Sequence, residues 1–386
     1  MHFLCYKPSV YSALDRFTIA LCIELKKKGY TSIIIFNDEI CLKELRIDIL
    51  KAEAKIELLN TRQSKIKIIK DLRNLLKKYK PEIVHSHFEF YIKTILALFC
   101  YIYRIRFYFS NHSLKFSMTA EDYRKQNNIL KVYRWKFYLK LLLFLCERSF
   151  CVSEAVRKEF SDFAGTKTKK LQLQYLGVRI NSEVQAKETQ RRKLNLSLNK
   201  VLVVNISAID FVKGIDILIK AARILREKHK QKSIQIIHIG GLRLDNDSAL
   251  RYENELKNLQ EKLVDYNEYF IWLGKRNDVY NILSACDIYV HPARMEGLPT
   301  TIMEAFSARL PAVGTRVGGI PEIIEDGVCG ILVDPENEIQ LADALNYLIS
   351  NEPLRRKMGY QAFVAVKDKW NMEVQVAKLI EAYGIY

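Results

Sequence analysis

The sequence predicts an α/β protein built from two doubly wound parallel sheets. Three observations support this fold class: short β-branched runs alternate with amphipathic helical stretches, the alternation occurs in both halves of the chain, and a polar segment, 181–199, separates the halves. Strands connected through helices pair in parallel, and 386 residues exceed one ordinary domain. We therefore expect two Rossmann-like domains, 1–185 and 186–369, that face each other across a cleft.

The first half shows strand and helix signals in alternation. Strands are predicted within Met1–Lys7 and at Thr31–Phe36, Glu82–His85, Phe107–Ser110 and Ser149–Val152, and helices at Leu14–Lys28 and around Ile66–Tyr79. These strand candidates are short and mostly β-branched or aromatic, as strands in sheets usually are.

The second half repeats the pattern. Its strands are predicted at Val201–Ile206, Ile234–Ile239, Tyr269–Leu273, Ile288–Val290, Pro311–Gly314 and Gly330–Val333, with helical stretches between them. A final helix, Met372–Tyr383, lies in the segment 370–386, which we expect to cross back onto the first domain.

The positive charge of the chain is concentrated in its first half. The formal net charge is +17, of which residues 1–190 carry +16 and the remainder +1. Such asymmetry indicates an anionic partner for the first half, namely anionic lipid headgroups, a phosphorylated substrate or nucleic acid. The alternative is a lysine-rich surface that is only solvated.

Cysteine usage and hydropathy indicate a cytoplasmic protein. The eight cysteines are scattered without a Cys-x-x-Cys pair, as expected of reduced and mostly buried thiols. The start of the chain does not have the pattern of a secretory signal. The most apolar stretches, Thr94–Tyr103 and Leu139–Cys146, are too short to span a bilayer.

The run from Arg294 to Ala305 joins two carboxylates, Glu296 on a loop and Glu304 on a helix. Between them Gly297 allows close backbone approach, and Pro299 restricts the turn. A helix that begins at the following threonines would direct free N–H groups and a positive dipole end at a phosphate. Because carboxylates accept hydrogen bonds from hydroxyl groups, the run suits a nucleotide-sugar.

A structural alternative exists for the second carboxylate. Thr301-Ile302-Met303-Glu304 fits the capping-box pattern, in which Glu304 would only bond back to the start of its own helix.

Three further loops are expected beside the Glu296 loop. Ligands of open α/β sheets bind outside the carboxyl ends of the strands. The loops that follow predicted strands of the second half are Ser207–Gly214, Gly240-Gly241, Gly274-Lys275-Arg276 and the Glu296 loop.

From Val201 onward the chain resembles the retaining GT-B glycosyltransferases of family 4. The segments that carry the resemblance are Phe211–Gly214, Leu273–Val279, Ala285–Pro292, Glu296–Glu304, Gly318–Glu322 and Asp326–Val333. Several ordered segments form a far more specific signal than a pair of glutamates.

The resemblance implies a role for each matching residue. Glu296 would contact the donor sugar, Glu304 the nucleotide ribose, and Lys213 the diphosphate. The helix start between the two glutamates would receive the diphosphate, and two glycine-containing loops would complete the pocket. The implied donor-binding residues are Gly240, Arg276, Gly297, Leu298, Pro299, Thr300, Thr301 and Glu304, and the implied catalytic residues are Glu296, Lys213 and His112.

The first half resembles acceptor domains of the same family more faintly. The matching segments are Val84–His87, Asn111-His112 and Val152–Val156. The resemblance places His112 near the reacting centre, although a histidine after a strand is otherwise often structural. His85 and His87 point to one side of a strand, yet no third metal ligand is near them in sequence. The family implies metal independence and no cofactor other than the nucleotide-sugar.

Three departures from the family pattern concern charge near the donor. Ser207 and Ala208 stand where the family places Gly-Arg, so one phosphate-binding cation is absent. The first loop, Lys7–Tyr11, lacks the family's glycine pair, and Lys7 is a candidate source of charge. Leu176–Arg179 replaces the usual turn before the second domain.

The expected reaction is transfer of a sugar from a nucleotide-diphosphate sugar, with UDP as the expected nucleotide. The acceptor is expected to be a glycan or a polyprenyl-diphosphate-linked glycan of a bacterial surface polysaccharide, bound by the basic domain 1–185. The stretch Leu130–Phe150 mixes cations, aromatics and aliphatics as interfacial helices do, which suggests contact with the inner face of an anionic membrane. A core helix with basic solvent-facing positions is the alternative.

Three rival functions follow from the same residues. Ala208 is compatible with a non-catalytic GT-B protein that binds only a sugar or a partner. The charge is compatible with a nucleic-acid-binding protein, but no recognisable RNA or DNA module is present, so we expect no nucleic acid. A sugar-nucleotide epimerase on the same fold accounts less well for Glu296 and Glu304.

Overall fold

The computed structural model describes residues 2–5, 13–36, 48–61, 63–87, 90–112, 129–165, 169–180, 186–242, 247–261 and 266–385. The chain divides into two compact units. The first unit consists of Met1–Gly177 together with Met372–Tyr386, and the second unit of Val178–Asn371.

The first unit contains a seven-stranded parallel sheet with the strand order β3-β2-β1-β4-β5-β6-β7. Its strands are β1 His2–Cys5, β2 Ser32–Phe36, β3 Lys55–Leu58, β4 Ile83–His87, β5 Arg106–Asn111, β6 Arg148–Cys151 and β7 Leu171–Leu173. Its helices are α1 Ala13–Lys27, α2 Lys65–Tyr79, α3 Phe90–Tyr103, α4 Ile129–Leu145 and α5 Glu154–Ala164, with the last helix of the chain, Met372–Ala382, added from the other end.

The second unit contains a six-stranded parallel sheet with the order β10-β9-β8-β11-β12-β13. Its strands are β8 Val201–Ile206, β9 Ile234–Ile239, β10 Phe270–Trp272, β11 Ile288–His291, β12 Ala312–Thr315 and β13 Gly330–Val333. Its helices are α6 Lys187–Lys193, α7 Ile215–Glu227, α8 Asp247–Glu261, α9 Tyr266–Tyr269, α10 Val279–Ala285, α11 Thr300–Ser307, α12 Ile320–Ile323, α13 Glu338–Ile349 and α14 Glu352–Lys369. The strand order reverses between β8 and β11, where doubly wound sheets bind their ligands.

The predicted strands are all confirmed, with ends that agree or are shifted by one or two residues. Two strands were missed, β3 and β7, which lie at the two edges of the first sheet. Both are short, and the side chains of β3 are mostly exposed, so neither shows the apolar run of a buried strand.

The predicted interfacial helix, Leu130–Phe150, extends five residues beyond the end of the observed helix. The helix ends at Leu145, and Glu147 N–H donates to the carbonyl of Phe107. The next residues form strand β6, because pairing with β5 satisfies their backbone hydrogen-bonding groups. Phe150, in this strand, is buried.

The last helix of the chain, α15 (Met372–Ala382), packs on α1 in the first unit. Val376, Leu379 and Ile380 are buried in the same apolar core as Phe17 and Leu25 of α1. Burial of these side chains holds the chain end to a domain whose other elements precede it by about two hundred residues.

Among the residues that the structure describes, no helix is long and apolar enough to cross a membrane. The described cysteine side chains are free and buried, as predicted: Cys22, Cys100, Cys146, Cys151, Cys286 and Cys329. Burial raises the pKa of Cys22, Cys146 and Cys151 to about 12, so these thiols stay protonated at neutral pH. Cys41 and the side chain of Cys5 lie outside the described residues.

Candidate functional site

The loops after β8 and β11 meet at the point where the strand order of the second sheet reverses. β8 and β11 are neighbours in the sheet, so both loops leave its carboxyl edge side by side. The first loop contains Lys213 and the second Glu296, eighty-three residues later in the chain. Lys213 Nζ lies 2.5 Å from Glu296 Oε2, so the structure brings together two of the predicted catalytic residues.

The Glu296 carboxylate is almost enclosed and has a second donor. His291, the last residue of β11, places Nε2 3.0 Å from the same oxygen, Oε2. The side chain of Glu296 is 13% exposed and that of His291 3%. Burial by itself would raise the pKa of Glu296, but Lys213 and His291 outweigh it and lower the pKa to about 2. Glu296 is therefore ionised at any physiological pH.

His291 is neutral under the same conditions. Burial lowers the pKa of this imidazole, which the negative charge of Glu296 opposes and the positive charge of Lys213 reinforces. The cluster thus holds one ammonium, one carboxylate and one neutral imidazole.

The two loops interlock through their backbones. Arg294 N–H donates to the carbonyl of Val212 at 2.9 Å. Gly214 has φ +65, and a Cβ added to it would lie 2.0 Å from the carbonyl oxygen of Pro292. Only glycine permits this approach, which sets Lys213 beside the Glu296 loop.

Arg294 joins the two loops through its side chain. Its guanidinium forms two 2.7 Å bonds to the carboxylate of Asp216, at the start of α7, and one of 2.7 Å to the carbonyl of Phe211. The guanidinium also stacks over the Phe211 ring, 3.9 Å from its centroid, and binds Glu336. The Tyr252 hydroxyl donates to Asp216 at 2.7 Å. This group, called the Arg294 clamp below, consists of Arg294, Asp216, Phe211, Tyr252 and Glu336.

Helix α11 begins at Thr300, directly after Pro299, and no side chain caps it. Thr301 is therefore not the N-cap residue that the capping-box alternative requires. Thr301 lies inside the helix, and its Oγ1 contacts the hydroxyl of Tyr289 at 2.7 Å. Because the helix begins two residues earlier than the capping box requires, Glu304 occupies the fifth helical position instead of the third. Glu304 is 3% exposed.

Three residues connect Glu296 to the helix that carries Glu304. Gly297, Leu298 and Pro299 are buried, and Thr300 is partly exposed. Thr300 and Thr301 occupy the first helical positions, where backbone N–H groups point along the helix axis. The predicted helix start is thus confirmed, while binding of a diphosphate there stays a prediction.

Two predicted donor-binding positions have structural roles in the described residues. Gly240, at φ +151, lies so close to the loop after β8 that an added Cβ would be 1.8 Å from the carbonyl oxygen of Ser207. Arg276 forms an exposed ion pair with Asp278, at 2.7 and 2.8 Å.

Ser207 donates to Asn205, and Ala208, where the family has arginine, is partly exposed. Lys7–Tyr11 lies outside the described residues.

The remaining predicted catalytic residue, His112, belongs to the first unit. It follows β5, and its Nε2 lies 3.0 Å from Nδ1 of His87 at the end of β4. Burial and the nearby Lys93 lower the pKa of His112 to about 3, so the ring is neutral. His85 and His87 lie on one face of β4, as predicted, with ring centroids 4.2 Å apart. His85 contacts Ser110 at 2.8 Å.

Sequence reasoning missed a buried amine beside these histidines. Lys93 is 5% exposed, and its Nζ donates to the carbonyl of Ser110 at 2.7 Å. Burial lowers its pKa to about 7. Sequence reasoning also assigned no role to His291, Tyr289 and Arg294. Their proximity to Glu296 along the chain was a signal that could have identified them. Within the described ranges, no three or more His, Cys, Asp or Glu side chains are grouped to hold a metal ion.

Two family models match the chain. The model described as Glycosyl transferases group 1 matches residues 186–364, and the model described as Glycosyltransferase Family 4 matches residues 14–182. A D-inositol 3-phosphate glycosyltransferase of Corynebacterium diphtheriae is 26% identical over 197 residues, which are 51% of this chain and 45% of that protein. The chain therefore spans less than half the length of this relative.

Two solved structures are similar over almost the whole chain. Anabaena Alr3699/HepE in complex with UDP and glucose has a TM-score of 0.80 at 18% identity, covering 100% of this chain and 99% of that one. WaaG, a glycosyltransferase involved in lipopolysaccharide biosynthesis, has a TM-score of 0.74 at 17% identity, with 99% of each chain covered. At such identities the likeness shows the GT-B fold. With the two family models, it shows that the chain belongs to the family 4 glycosyltransferases of the GT-B fold.

Proposed function

We propose that the protein is a retaining glycosyltransferase that moves a sugar from a UDP-linked donor to a glycan or lipid-linked acceptor of a bacterial surface polysaccharide. The observation that carries the proposal is the contact of Lys213 with Glu296 beside the start of α11. It joins a cation, a hydroxyl-binding carboxylate and a helix N-terminus at the reversal of the strand order.

Each group suits one part of a nucleotide-sugar. As the bond from the sugar to the diphosphate breaks, negative charge grows on the phosphate and positive charge on the sugar ring. The ammonium of Lys213 has three donors, of which the contact with Glu296 uses one. The remaining donors and the start of α11 would stabilise the phosphate. Glu296 would accept hydrogen bonds from the sugar, and Glu304 from the ribose.

In a retaining reaction of this kind the leaving phosphate takes the proton of the acceptor. We therefore assign no carboxylate as a general base. Metal independence stays a prediction, which an assay with and without EDTA would check. The solved complex of HepE with UDP and glucose supports UDP as the nucleotide.

The acceptor class has one specific alternative. The relative from Corynebacterium diphtheriae is named for D-inositol 3-phosphate, so a small phosphorylated alcohol is the second candidate. The basic first half of the chain suits either this anion or a diphosphate-linked glycan. A non-catalytic binding protein and a sugar-nucleotide epimerase are the rival functions, which product identification separates from transfer.

A thermal-shift screen of nucleoside diphosphates and nucleotide-sugars tests the proposal. We expect UDP and one or more UDP-sugars to stabilise the protein, by about 2.7 kcal/mol at one hundred times the dissociation constant. Glu304→Gln is expected to weaken UDP binding at least about tenfold, because ribose hydroxyls lose a charged acceptor.

The matched control is Glu352→Gln, which makes the same change at an exposed helix start in the second unit. It should leave UDP binding unchanged. Absence of stabilisation by every nucleoside diphosphate would rule out the transferase proposal, and unchanged UDP affinity in Glu304→Gln would rule out the ribose assignment.

Membrane contact is the second part of the proposal. Helices α3 and α4 of the first unit pack on each other and expose apolar side chains at helical spacing. We call this surface the aromatic face; it consists of Leu98, Tyr101, Ile102, Tyr133, Phe137 and Phe144, which are 42% to 69% exposed. The rings of Tyr101 and Phe144, one from each helix, have centroids 6.5 Å apart. The surface is therefore continuous across both helices.

Cations border the aromatic face. Lys140 is exposed and lies between Phe137 and Phe144 on α4, and Arg134 and Arg104 are also exposed. Aromatic side chains enter the headgroup region of a bilayer, while lysine and arginine bind anionic lipid. Contact with an anionic membrane would bring a lipid-linked acceptor to the basic unit.

Co-sedimentation with lipid vesicles tests this contact. We expect binding to vesicles that contain phosphatidylglycerol and little binding to pure phosphatidylcholine. Replacing Phe137 and Phe144 by serine should weaken vesicle binding about tenfold, because each aromatic loses apolar burial in the lipid. Tyr360→Ser, at a 56% exposed position of the second unit, is the control and should bind normally. Equal binding by the double variant would contradict the assignment.

A further inference from the structure

A buried chain of side chains leads from the start of α11 to the Glu296 carboxylate. Thr301 Oγ1 lies 2.7 Å from the hydroxyl of Tyr289, which lies 3.2 Å from His291 Nδ1. His291 Nε2 in turn lies 3.0 Å from Glu296 Oε2. Tyr289 is fully buried, and His291 is 2% exposed. Neither side chain is reached by solvent, so their mutual contacts decide their orientation.

The chemistry of these groups determines where the imidazole proton lies. Glu296 is ionised, and a carboxylate can only accept hydrogen bonds. His291 must therefore carry its proton on Nε2 and donate it to Glu296. Since burial keeps the ring neutral, Nδ1 has no proton and can only accept, and the hydroxyl of Tyr289 lies 3.2 Å from it. The single proton of that hydroxyl also has the carbonyl of Ile206, at 3.3 Å, and Thr301 Oγ1, at 2.7 Å, as acceptors within reach.

The two hydrogen-bond donors to Glu296 differ in whether they fix the orientation of its carboxylate. Lys213 is a point charge on a flexible stem, and its ammonium sets no orientation for the carboxylate plane. His291 is a planar donor at the end of β11, and Tyr289 on the same strand holds its other nitrogen. The terminal torsion of a glutamate is otherwise soft. Two donors on Oε2, one of them rigid, orient the other oxygen, Oε1.

We propose that His291 is a positioning residue that holds Glu296 Oε2 together with Lys213 and presents Oε1 to the hydroxyl groups of the donor sugar. The proposal rests on the proposed function, because it assumes that Glu296 binds the sugar. The proposal predicts that binding of the sugar depends on His291, whereas binding of the nucleotide at Glu304 does not.

Binding of UDP and of the UDP-sugar that stabilises the wild-type protein is compared by calorimetry in two variants. His291→Leu removes the donor, and we expect it to weaken UDP-sugar binding about 10- to 100-fold, since a hydrogen bond to a charged group is lost. UDP affinity should change no more than about twofold. His291→Gln keeps an N–H donor on a side chain of similar reach, and should recover UDP-sugar affinity to within about fivefold of wild type.

The matched control is His229→Leu. His229 lies in the same unit and contacts Asp343 at 2.8 Å, in a different part of the unit from the Glu296 cluster. It should bind both ligands as the wild type does. If His291→Leu weakens UDP and UDP-sugar equally, or weakens neither, the positioning role is wrong.

The proton position is tested without any ligand. Nitrogen-15 NMR of histidine-labelled protein, with the His291 signal identified by its loss in His291→Gln, should show a neutral Nε2–H ring at about pH 7 to 8. An Nδ1–H ring would overturn the proposal whatever the binding results. A wild-type protein that binds neither UDP nor any nucleotide-sugar would instead refute the proposed function, and with it the sugar-binding role, even if the proton lies on Nε2.

Discussion

Replacing Lys213 by methionine is expected to lower the rate of sugar transfer about 10²- to 10³-fold, the usual effect of removing one charge-stabilising donor from an active site. Methionine keeps an unbranched side chain but has no charge and no donor. The arginine that the family places near the diphosphate is replaced here by Ala208, so Lys213 has a larger share of the charge to stabilise. The rate is measured as nucleoside-diphosphate release from the UDP-sugar that binds the wild type.

Loss of Lys213 also has an effect on stability. It leaves the carboxylate of Glu296 mostly buried with one neutral donor, and removing one partner of a buried ion pair costs about 3–5 kcal/mol. The double variant Lys213→Met, Glu296→Gln removes both charges and should recover most of that stability while staying inactive. Rates must therefore be compared below the unfolding temperature of each variant.

Lys228→Met is the matched control for the lysine substitution. Lys228 is 62% exposed and lies 3.6 Å from Asp343, so this pair contributes little to stability. Activity and melting temperature should match the wild type. A Lys213→Met protein that is folded and retains more than about one third of the wild-type rate would contradict the role of Lys213.

Replacing Arg294 by methionine is expected to reduce the free energy of unfolding of the second unit by about 3–5 kcal/mol. The side chains of Arg294 and Asp216 are 12% and 11% exposed, so the carboxylate would stay buried with only the partly exposed Lys220, 3.8 Å away, as a cation. Burial alone would raise the pKa of Asp216, but Arg294, Tyr252 and Lys220 lower it overall, so the folded state favours the ionised carboxylate. For a unit of this size the melting temperature should fall by roughly 10 °C.

The Arg294 clamp should also affect donor binding, because it joins the loop of Lys213 to the loop of Glu296. We expect Arg294→Met to weaken UDP-sugar binding in addition to its effect on stability. Arg294→Lys should recover only part of the stability, since lysine cannot form the paired bonds to Asp216. A double-mutant cycle with Asp216→Asn measures the coupling.

Arg356→Met is the control for Arg294. Arg356 pairs with Glu352 four residues earlier on α14, and both side chains are more than half exposed. Such a pair contributes about 0.3–0.5 kcal/mol. If denaturant unfolding shows equal losses in the two variants, the clamp does not stabilise the unit.

Local patterns were sufficient for the fold and for the general place of the site. The strands Val201–Ile206 and Gly330–Val333 were predicted to the residue, because buried parallel strands are short apolar runs that end at turns. The edge strands β3 and β7 lack such runs and were missed. Leu130–Phe150 was predicted as one helix because a helix end followed directly by a strand leaves no clear break in hydropathy.

The amino-acid sequence by itself determined the alternation of strands and helices and the position of the loops after β8 and β11, one with a lysine and the other with a glutamate. These features depend on residues close together in the chain. Only the tertiary structure decided that Lys213 meets Glu296, that His291 donates to the same oxygen, and that Arg294 joins Asp216. Except for the contact of His291, these link residues about eighty positions apart, which the order of strands in the sheet brings into contact.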